Sequence, residues 1–525
     1  MGDSAEQLLT SAREKFGHLT EVDEKLFRAV VQGKAADFSS DADELNEPAK
    51  SDEWNHERTL SADRIVWLCT NTKARELLTY RGICIIGAKV EGYLDLSFAT
   101  IEVPLLFIRC TFSESISLLQ ARLRFLSLKR THVISINATG IQVEGSVLLK
   151  DGFEAKGEVR LLGAFIGGQL NCSSGHFFNE KGYALSASSA NITADVYLSD
   201  GFEAKGAVQL WGACIGGDLD CSDGHFFNQE KYALVINGAN IEGDVYFTNS
   251  FTAQGRVSLV STRIDDTLYL KQINNPQQMI LDLSFARVNT LADEAKSWPG
   301  ENRLHLNGFT YNTISESSPP DSKQRLKWLR LQPEQEFALQ PYEQLAGVLR
   351  TNGHEDAAIE ILIGKQRDRL RYGGLKGWEL FWNRFLGKTI AYGYRPQRAL
   401  WYSLVAVILG TFLFWRGYEA GLISPASNFG PFDESKLNSE VSVNYPVFNP
   451  LVYSLDVFLP IVDFHQESHW LPNSKKTSDK TLLLFFKTRS DIVLRWYFWL
   501  HIVLGWVFTS LWVAGFTGLI RSQNK

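Results

Sequence analysis

The stretch DGFEAKGEVRLLGAFIGGQLNCSSGHFFNEKGYALSASSANITADVYL, residues 151–198, decides the fold because a near-copy follows it directly. The copy at 200–247 begins 49 residues later and reads DGFEAKGAVQLWGACIGGDLDCSDGHFFNQEKYALVINGANIEGDVYF. A third, shorter copy begins at Phe251. Repeats at a fixed period of this size are typical of solenoids, in which each unit buries its apolar face against its neighbours.

Within the copies, small and apolar residues alternate with polar ones. One such run is Phe202, Ala204, Gly206, Val208 and Leu210. Similar runs begin upstream at Ala88, about 11 residues apart, and this alternation predicts strands with one buried face. We therefore predict a mainly β fold with a parallel β-solenoid over residues 82–312. Antiparallel hairpins are the alternative, but the Asn-Gly or Asp-Gly turns that they favour are missing between most of these runs.

The cysteines and histidines of the repeats do not have metal-ligand spacing. Cys110, Cys172 and Cys221 fall at inward positions of the alternation, so we interpret them as buried small apolar residues. His176 and His225 lack carboxylate and cysteine partners at ligand spacing, and we expect the Phe pairs that follow them to cap the solenoid edge. GAFIGG and GACIGG lack the GxGxxG spacing of a dinucleotide loop. We expect neither a metal nor a cofactor.

The segments around the solenoid have helical patterns. Residues 1–80 predict an N-terminal helical cap over the first turn. The N-terminus has no basic start followed by an apolar run, as a cleavable signal peptide would, so we expect these residues to fold in the cytosol. Residues 320–394 predict a helical connector that contains a helix hairpin turning at Asn352-Gly353. The net charge of −6 gives no support for a globally basic nucleic-acid binder.

Residues 395–525 predict a transmembrane module with two apolar spans, at about 399–418 and 496–520. Each comes close to the roughly 20 residues that a helix needs to cross a bilayer. Basic residues precede the first span and follow the last: Arg384, Lys388, Arg395, Arg398, Arg521 and Lys525. They predict that both termini are cytoplasmic, although Lys487, Arg489 and Arg495 on the opposite side conflict with this orientation.

Between the spans lies NPLVYSLDVFLPIVDF, residues 449–464, which is too short to cross. Asn449 and Pro450 suit the start of a short helix that a second proline ends about ten residues later. Either this segment re-enters the membrane and lines a cavity, or it is an extracellular amphipathic helix. In the first case, Asp456 or Asp463, repeated around a symmetric oligomer, would form a pore ring that favours cations.

Two clusters of basic residues are candidates for binding an anionic ligand. The first consists of Arg122, Arg124, Lys129 and Arg130. The second consists of Lys323, Arg325, Lys327, Trp328 and Arg330. Basic residues interleaved with an aromatic suit a phosphate backbone or single-stranded nucleic acid. A solvated charged face explains either cluster equally simply.

The chain resembles one bacterial family over roughly residues 60–520. The resemblance is carried by RGICIIGAKVEGYLDLSFATIEVPLLFIRCTF (81–112), GAxIGGxLxC in the repeats, QPYEQLAGVLRTNGHEDAAIEIL (340–362), GYRPQRALWY (393–402) and NPLVYSLDVFLPIV (449–462). These segments are similar to those of pentapeptide-like β-solenoid membrane proteins, often labelled membrane-associated oxidoreductases. Among these, the chain resembles the channel effectors of Hailong-type anti-phage defence. That resemblance implies a nucleotidyltransferase partner whose single-stranded DNA oligomers hold a channel shut.

Together these observations predict a ligand-gated ion channel, not an enzyme, in the bacterial inner membrane. Two spans per chain cannot enclose a pore alone, so we expect a homo-oligomer, with a tetramer favoured. The gating ligand would be a nucleotide or single-stranded DNA oligomer sensed by the cytosolic solenoid. A membrane-anchored binding scaffold without conduction is the main alternative, and a membrane-associated oxidoreductase is a weaker one.

Overall fold

The chain folds into two units, Met1–Leu362 and Ile363–Lys525, in a computed structural model. The structure describes residues 2–318, 321–374, 376–426, 446–473 and 490–517. The first unit contains the solenoid, and the second contains the long apolar helices. The boundary at Leu362 divides the predicted connector, residues 320–394, between the two units.

The predicted parallel β-solenoid is confirmed, with about ten turns. Most turns consist of four short strands, so the solenoid has four faces. Ile83 pairs with Leu105 and Leu105 with Leu126, which gives turns of 22 and 21 residues. In the repeats, Leu170 pairs with Val196 and Val196 with Leu219, so turns of 26 and 23 residues follow one another. The 49-residue period of the sequence therefore corresponds to two turns.

The first two faces belong to one parallel sheet. They are joined near the C-terminal end of the solenoid, where three longer strands bend around the corner and form part of both faces. The first face contains Thr100–Ile101, Arg122–Leu123, Gln142–Val143, Phe165–Ile166, Asn191–Ile192, Cys214–Ile215 and Asn240–Ile241. The second contains Ala36–Asp37, Ile83–Ile86, Leu105–Ile108, Leu126–Lys129, Val147–Leu148, Leu170–Asn171, Val196–Tyr197, Leu219–Asp220 and Val245–Phe247. The strands that serve both are Arg263–Leu270, Arg287–Asp293 and Thr310–Ile314.

The third and fourth faces share a second parallel sheet. The third contains Thr59–Ser61, Lys89–Glu91, Thr111–Phe112, His132–Val133 and Glu154–Ala155. The fourth contains Leu94–Asp95, Ile116–Ser117, Ile136–Asn137, Val159–Arg160, Met279–Asp282 and Leu304–His305. The strands that serve both are His176–Ser186, Glu203–Gln209, His225–Val235 and Thr252–Ser258.

The inward residues fill the solenoid with apolar side chains. A column of five Phe rings runs along the axis, with successive centroids 5.2, 5.2, 5.3 and 5.4 Å apart: Phe153, Phe177, Phe202, Phe226 and Phe251. Burial of one such ring stabilises the fold by roughly 1.5–3 kcal/mol. The Phe pairs were predicted to cap an edge, but Phe177 and Phe226 are fully buried in this column because the alternation turns them inward.

The buried cysteines follow the same alternation. Cys110, Cys172 and Cys221 are fully buried, which confirms their interpretation as inward-facing apolar residues. Burial raises the pKa of the Cys110 thiol to about 12 and raises that of Cys172 as well.

Residues 1–80 contain strands as well as helices. The helices are α1 (Gly2–Phe16), α2 (Glu21–Gln32), α3 (Ala62–Thr70) and α4 (Thr72–Glu76). Between them, Ala36–Asp37 pairs with Ile85 and Ile86, and Thr59–Ser61 pairs with Lys89–Glu91. Strand pairing with the first turns thus extends into a segment for which the sequence predicted only helices.

Between the last solenoid strand and Tyr372, the described residues form the α-helices α5 (Ser322–Leu329), α6 (Gln340–Thr351) and α7 (Glu355–Tyr372). The predicted helix hairpin is present, since the C-cap of α6 is Asn352 and α7 begins three residues later. The unit boundary at Leu362 lies inside α7.

The second unit contains α8 (Gly377–Thr389), α9 (Gln397–Glu419), α10 (Pro450–Phe458) and α11 (Ser490–Phe516), with an antiparallel strand pair, Ile423–Pro425 and Trp470–Pro472. The segments Gln397–Glu419 and Ile492–Phe516 are long and apolar enough to cross a membrane. The last helix begins six residues before the predicted span at 496, and residues 518–520 lie outside the described residues, as do Lys487, Arg489, Arg521 and Lys525.

The helices α9 and α11 run antiparallel. A Cβ atom on Gly515, near the end of α11, would lie 2.7 Å from the Cβ atom of Pro396, directly before α9. At the opposite ends, a Cβ atom on Gly417 would lie 2.7 Å from Cδ2 of Leu494. The start of α9 and the end of α11 therefore lie together, as two consecutive membrane spans require.

Candidate functional site

The short helix α10 forms as the sequence predicts. The Asn449 side-chain oxygen accepts hydrogen bonds from the backbone N–H groups of Leu451 (3.1 Å) and Val452 (3.2 Å). Pro450 takes the first helical position, where its missing N–H group costs nothing. The helix ends at Phe458, two residues before the proline that was expected to end it.

Asp456, one of the two pore candidates, is buried with 7% of its surface exposed. Its carboxylate accepts hydrogen bonds from the backbone N–H groups of Phe464 (2.6 Å) and Glu467 (2.7 Å). The side chain therefore holds the turn after α10 against the helix. Burial, with the charges of Asp456 and Asp463, raises the pKa of the Glu467 carboxyl group.

Asp463, the other candidate, is exposed, with 70% of its side-chain surface accessible. Its carboxylate accepts a hydrogen bond from the backbone N–H group of His465 at 2.7 Å and lies 3.0 Å from Nδ1 of the same residue. Ile461 and Val462 next to it are also exposed. Of the two acids, Asp463 is the one whose carboxylate is accessible at the surface.

A buried polar contact joins the three helices α9, α10 and α11. The Ser454 hydroxyl on α10 donates to the carbonyl oxygen of Val407 (2.9 Å) and lies 3.1 Å from Nε2 of His501 on α11. Tyr497 Oη lies 3.3 Å from Nδ1 of the same imidazole. Any Cβ atom on Gly410 of α9 would lie 2.5 Å from the serine hydroxyl oxygen, so the small residue permits this contact.

His501 was not among the predicted site residues, although it is fully buried and lies in α11, which is long and apolar enough to cross a membrane. An ionisable side chain inside a membrane segment is a functional candidate by default. The sequence signal was therefore present in WYFWLHIVLGW, a single His in an otherwise apolar run. Its partner on α10 could be identified only from the packing.

The first basic cluster is divided between two parts of the solenoid. Arg122 and Arg124 are exposed on the first face, as the alternation predicts. Leu123 pairs with Ile101 and Val143, which sets Arg124 in line with Glu102 and Glu144. This arginine pair therefore lies on a face of mixed charge.

Lys129 and Arg130 lie at the corner after the second face, where they line a surface groove of about 860 Å³. The same groove is lined by Asp37, Asp43 and Asp151, and the Lys129 Nζ atom lies 3.7 Å from Oδ2 of Asp151. Acidic residues thus offset the two cations, and the cluster does not form one continuous basic surface.

The second basic cluster requires a correction, because two of its five candidate side chains face inward. Arg325 and Trp328 are buried. The Arg325 guanidinium donates two hydrogen bonds of 2.8 Å to the carboxylate of Asp293, and both side chains are 1% exposed. Lys323, Lys327 and Arg330 are exposed on the other side of α5. The buried pair connects this helix to the solenoid, so neither Arg325 nor Trp328 is accessible to a ligand.

A third surface, which was not among the predicted sites, combines exposed aromatic and basic side chains. In each repeat, the long strand bulges outward after Phe178 or Phe227, where the register shifts. A groove of about 700 Å³ lies between the two bulges and is lined by Tyr183, Trp211, Tyr232, Lys181 and Lys231. All five are exposed.

The repeat determines the geometry of this aromatic groove. The two tyrosines are equivalent residues two turns apart, or about 9–10 Å at the usual spacing of parallel strands. Gly206, with a φ of +129°, lies under the first bulge, where any Cβ atom would overlap the carbonyl oxygen of Asn179. A signal was present in the sequence, since GYAL and KYAL interrupt the alternation at matched positions.

The histidines of the repeats lie on the outer surface of the third face. Nδ1 of His176 lies 3.5 Å from Oε2 of Glu203. Within the described ranges, no group of three or more His, Cys, Asp or Glu side chains could hold a metal ion.

No protein-family model, curated protein or solved structure matches the chain.

Proposed function

We propose that the chain is a subunit of an oligomeric ion channel in the bacterial inner membrane, with cytoplasmic termini and a ligand-sensing solenoid. The observation that carries the proposal is the pair of antiparallel apolar helices, α9 and α11, with the short helix α10 between them. In the most apolar part of each long helix, 28% of the residues are buried. The remaining surface suits contact with lipid or with further copies.

An ion path in this proposal is formed by several subunits, with a tetramer favoured. Within one subunit, α10 packs directly on both long helices through Ser454 and His501. The exposed turn that carries Ile461, Val462 and Asp463 is then the part that faces the oligomer axis. Four copies of Asp463 would place a ring of carboxylates at the entrance, and such rings favour cations.

The aromatic groove, defined by Tyr183, Trp211, Tyr232, Lys181 and Lys231, is the solenoid surface that best suits an anionic gating ligand. Aromatic rings can stack on bases while lysines neutralise phosphates. The family resemblance favours a nucleotide or single-stranded DNA oligomer made by a nucleotidyltransferase partner, and a role in anti-phage defence. In the same proposal, α1–α4 shield the first turn of the solenoid.

Flux measurements on liposomes that contain the pure protein test this function. We expect cation flux that changes when short single strands are added, and liposomes that stay tight under every ligand condition would contradict the channel. Asp463→Asn should reduce the preference for cations over anions. Glu419→Gln, which removes an exposed acid at the end of α9, is the matched control and should leave this preference unchanged.

A membrane-anchored scaffold without conduction is the second candidate. It is favoured by the direct packing of α10 on α9 and α11 and by the two backbone hydrogen bonds that engage Asp456. The oligomeric state of the full chain in mild detergent separates the two candidates. A monomer would favour the scaffold, because two spans cannot enclose a pore.

A further inference from the structure

The helix α8, directly before the first span, exposes an aromatic stripe. Trp378 is 72% exposed, Phe381 56% and Trp382 42%. Side chains of this size are rarely left in contact with water at three neighbouring positions. We therefore expect an apolar surface to cover the aromatic stripe. The bilayer is a candidate for that surface, because α8 lies directly before α9 in the sequence.

The stripe is an ordered surface. The ring centroids of Trp378 and Phe381 are 5.2 Å apart, and those of Trp382 and Phe385 are 5.4 Å apart, with interplanar angles of 25° and 23°. These residues follow the i, i+3, i+4, i+7 spacing of one helix face. The four side chains therefore form one continuous apolar strip along α8.

Charged residues lie on both flanks of the stripe. At 100° per residue, Arg384 and Lys388 fall on one flank of the stripe, and both are exposed. Glu379 falls on the other flank, about as far from the middle of the stripe as Arg384, and Asn383 falls nearly opposite the stripe. Long basic side chains can extend from an apolar surface to lipid phosphates.

The place of α8 within the second unit is fixed at its C-terminal end. Phe385 and Leu386 pack against a small core of Ile390, Ala399 and Leu511. Ala399 lies in the first turn of α9, and Leu511 lies near the end of α11. The helix therefore lies where both long helices end, which is the boundary between hydrocarbon and water if these helices span the membrane.

We propose that α8 is an interfacial helix whose aromatic stripe inserts into the headgroup region of the bilayer. Trp rings are enriched at this depth because they have an apolar body and a polar N–H group. Arg384 and Lys388 bind lipid phosphates, so the helix prefers anionic lipid. This inference rests on the membrane spans of the proposed function, but it requires no conduction.

Site-specific fluorescence on the full-length protein tests the proposal. Single cysteines carrying an environment-sensitive dye are introduced by Phe381→Cys in the stripe and Asn383→Cys on the polar side. The background carries Cys214→Ser and Cys84→Ser, because these two native thiols are exposed and partly exposed. The protein is reconstituted in vesicles of neutral and anionic phosphatidyl lipids with spin labels near the headgroup or deep in the acyl chain.

The dye at position 381 should be quenched several-fold more strongly by the shallow spin label than the dye at position 383. Ile408→Cys and Val503→Cys, both exposed on the long helices, report on the spans and should be quenched by the deep label. Quenching at 408 or 503 without quenching at 381 would overturn the inference and leave the spans intact. Loss of quenching at all three positions would refute the spans as well.

A second subunit could also cover the stripe, and the same samples distinguish this outcome. A dye at 381 that is shielded from aqueous iodide but not quenched by any lipid would overturn the proposal in favour of a contact between copies. Arg384→Gln with Lys388→Gln should reduce the difference in quenching between anionic and neutral vesicles. An unchanged difference would refute the role of these two cations.

Discussion

The buried pair Arg325–Asp293 allows a quantitative prediction for the C-terminal end of the solenoid. The perturbation is Arg325→Leu, which removes the guanidinium and leaves the carboxylate of Asp293 inside the protein. That carboxylate accepts two hydrogen bonds of 2.8 Å from Arg325 and a third, also of 2.8 Å, from Nε1 of Trp298. Only the third remains in the variant.

The expected magnitude follows from the burial of both partners. Each side chain is 1% exposed, so water cannot replace the lost hydrogen bonds. Removal of one partner from a buried ion pair costs about 3–5 kcal/mol. Since every 1.4 kcal/mol is a factor of ten, local opening of α5 should become roughly a hundredfold to a few thousandfold more frequent.

Hydrogen exchange of the intact protein in detergent measures this opening peptide by peptide. Amides of α5 and of the strand Thr310–Ile314 should exchange faster, while amides in the first solenoid turns should be unaffected because solenoid stability is carried by neighbouring turns. The matched control is Arg350→Leu. Arg350 pairs with Glu355 at 3.0 Å, but the two side chains are 49% and 56% exposed, so its loss should cost less than about 1 kcal/mol.

A double variant that lacks both charges completes a double-mutant cycle for this ion pair. Arg325→Leu with Asp293→Leu removes the unpaired carboxylate, so it should recover much of the loss. The indole N–H group of Trp298 is then left without its acceptor, at a cost of about 1–3 kcal/mol. The reasoning is refuted if Arg325→Leu accelerates exchange no more than Arg350→Leu, or if the double variant is as unstable as the single one.

Three further predictions concern packing, thiols and pH. Gly410→Val should lower the unfolding temperature of the purified protein, because overpacking costs about 1–3 kcal/mol, and an unchanged temperature would contradict the tight contact of the three helices. Iodoacetamide should alkylate exposed Cys214 in the native protein, but Cys110 and Cys172 only after denaturation, since burial raises the pKa of both thiols. Mass spectrometry reads this out, and native labelling of either buried thiol would contradict the fold. Burial lowers the pKa of His132, so protonation favours the unfolded chain and stability falls as the pH drops below about 6.5. His132→Gln should flatten this fall in unfolding experiments between pH 7 and pH 5, and an identical slope would show that His132 does not contribute.

The solenoid could be predicted because its periodicity is repeated many times. Alternation identified the inward positions of Cys110, Cys172 and Cys221, all of which are fully buried. Alternation did not reveal that 49 residues make two turns, since the turn length depends on which strands pair. Turns of 26 residues contain the bulges, and the extra residues were visible in the sequence only as a break in the pattern.

In the candidate pore segment, only the start of the short helix could be predicted from the sequence. Asn449 and Pro450 determine where α10 begins, and both act within one helical turn. The roles of Asp456 and Asp463 depend on the turn after the helix, whose backbone N–H groups bind the first and leave the second exposed. Two similar acids in one segment therefore received the same interpretation, although their environments differ.

The second basic cluster shows why charge alone does not identify a binding surface. Arg325, Trp328 and Leu329 are spaced i, i+3 and i+4 and are all buried, so they form the inward stripe of α5. An arginine can occupy a buried position when a buried carboxylate pairs with it. Here that carboxylate belongs to Asp293, which is 32 residues away in the sequence. No local pattern connects two residues at that distance. The aromatic residue next to the basic residues was read as a stacking surface for a ligand, whereas its spacing from Leu329 indicated a buried face.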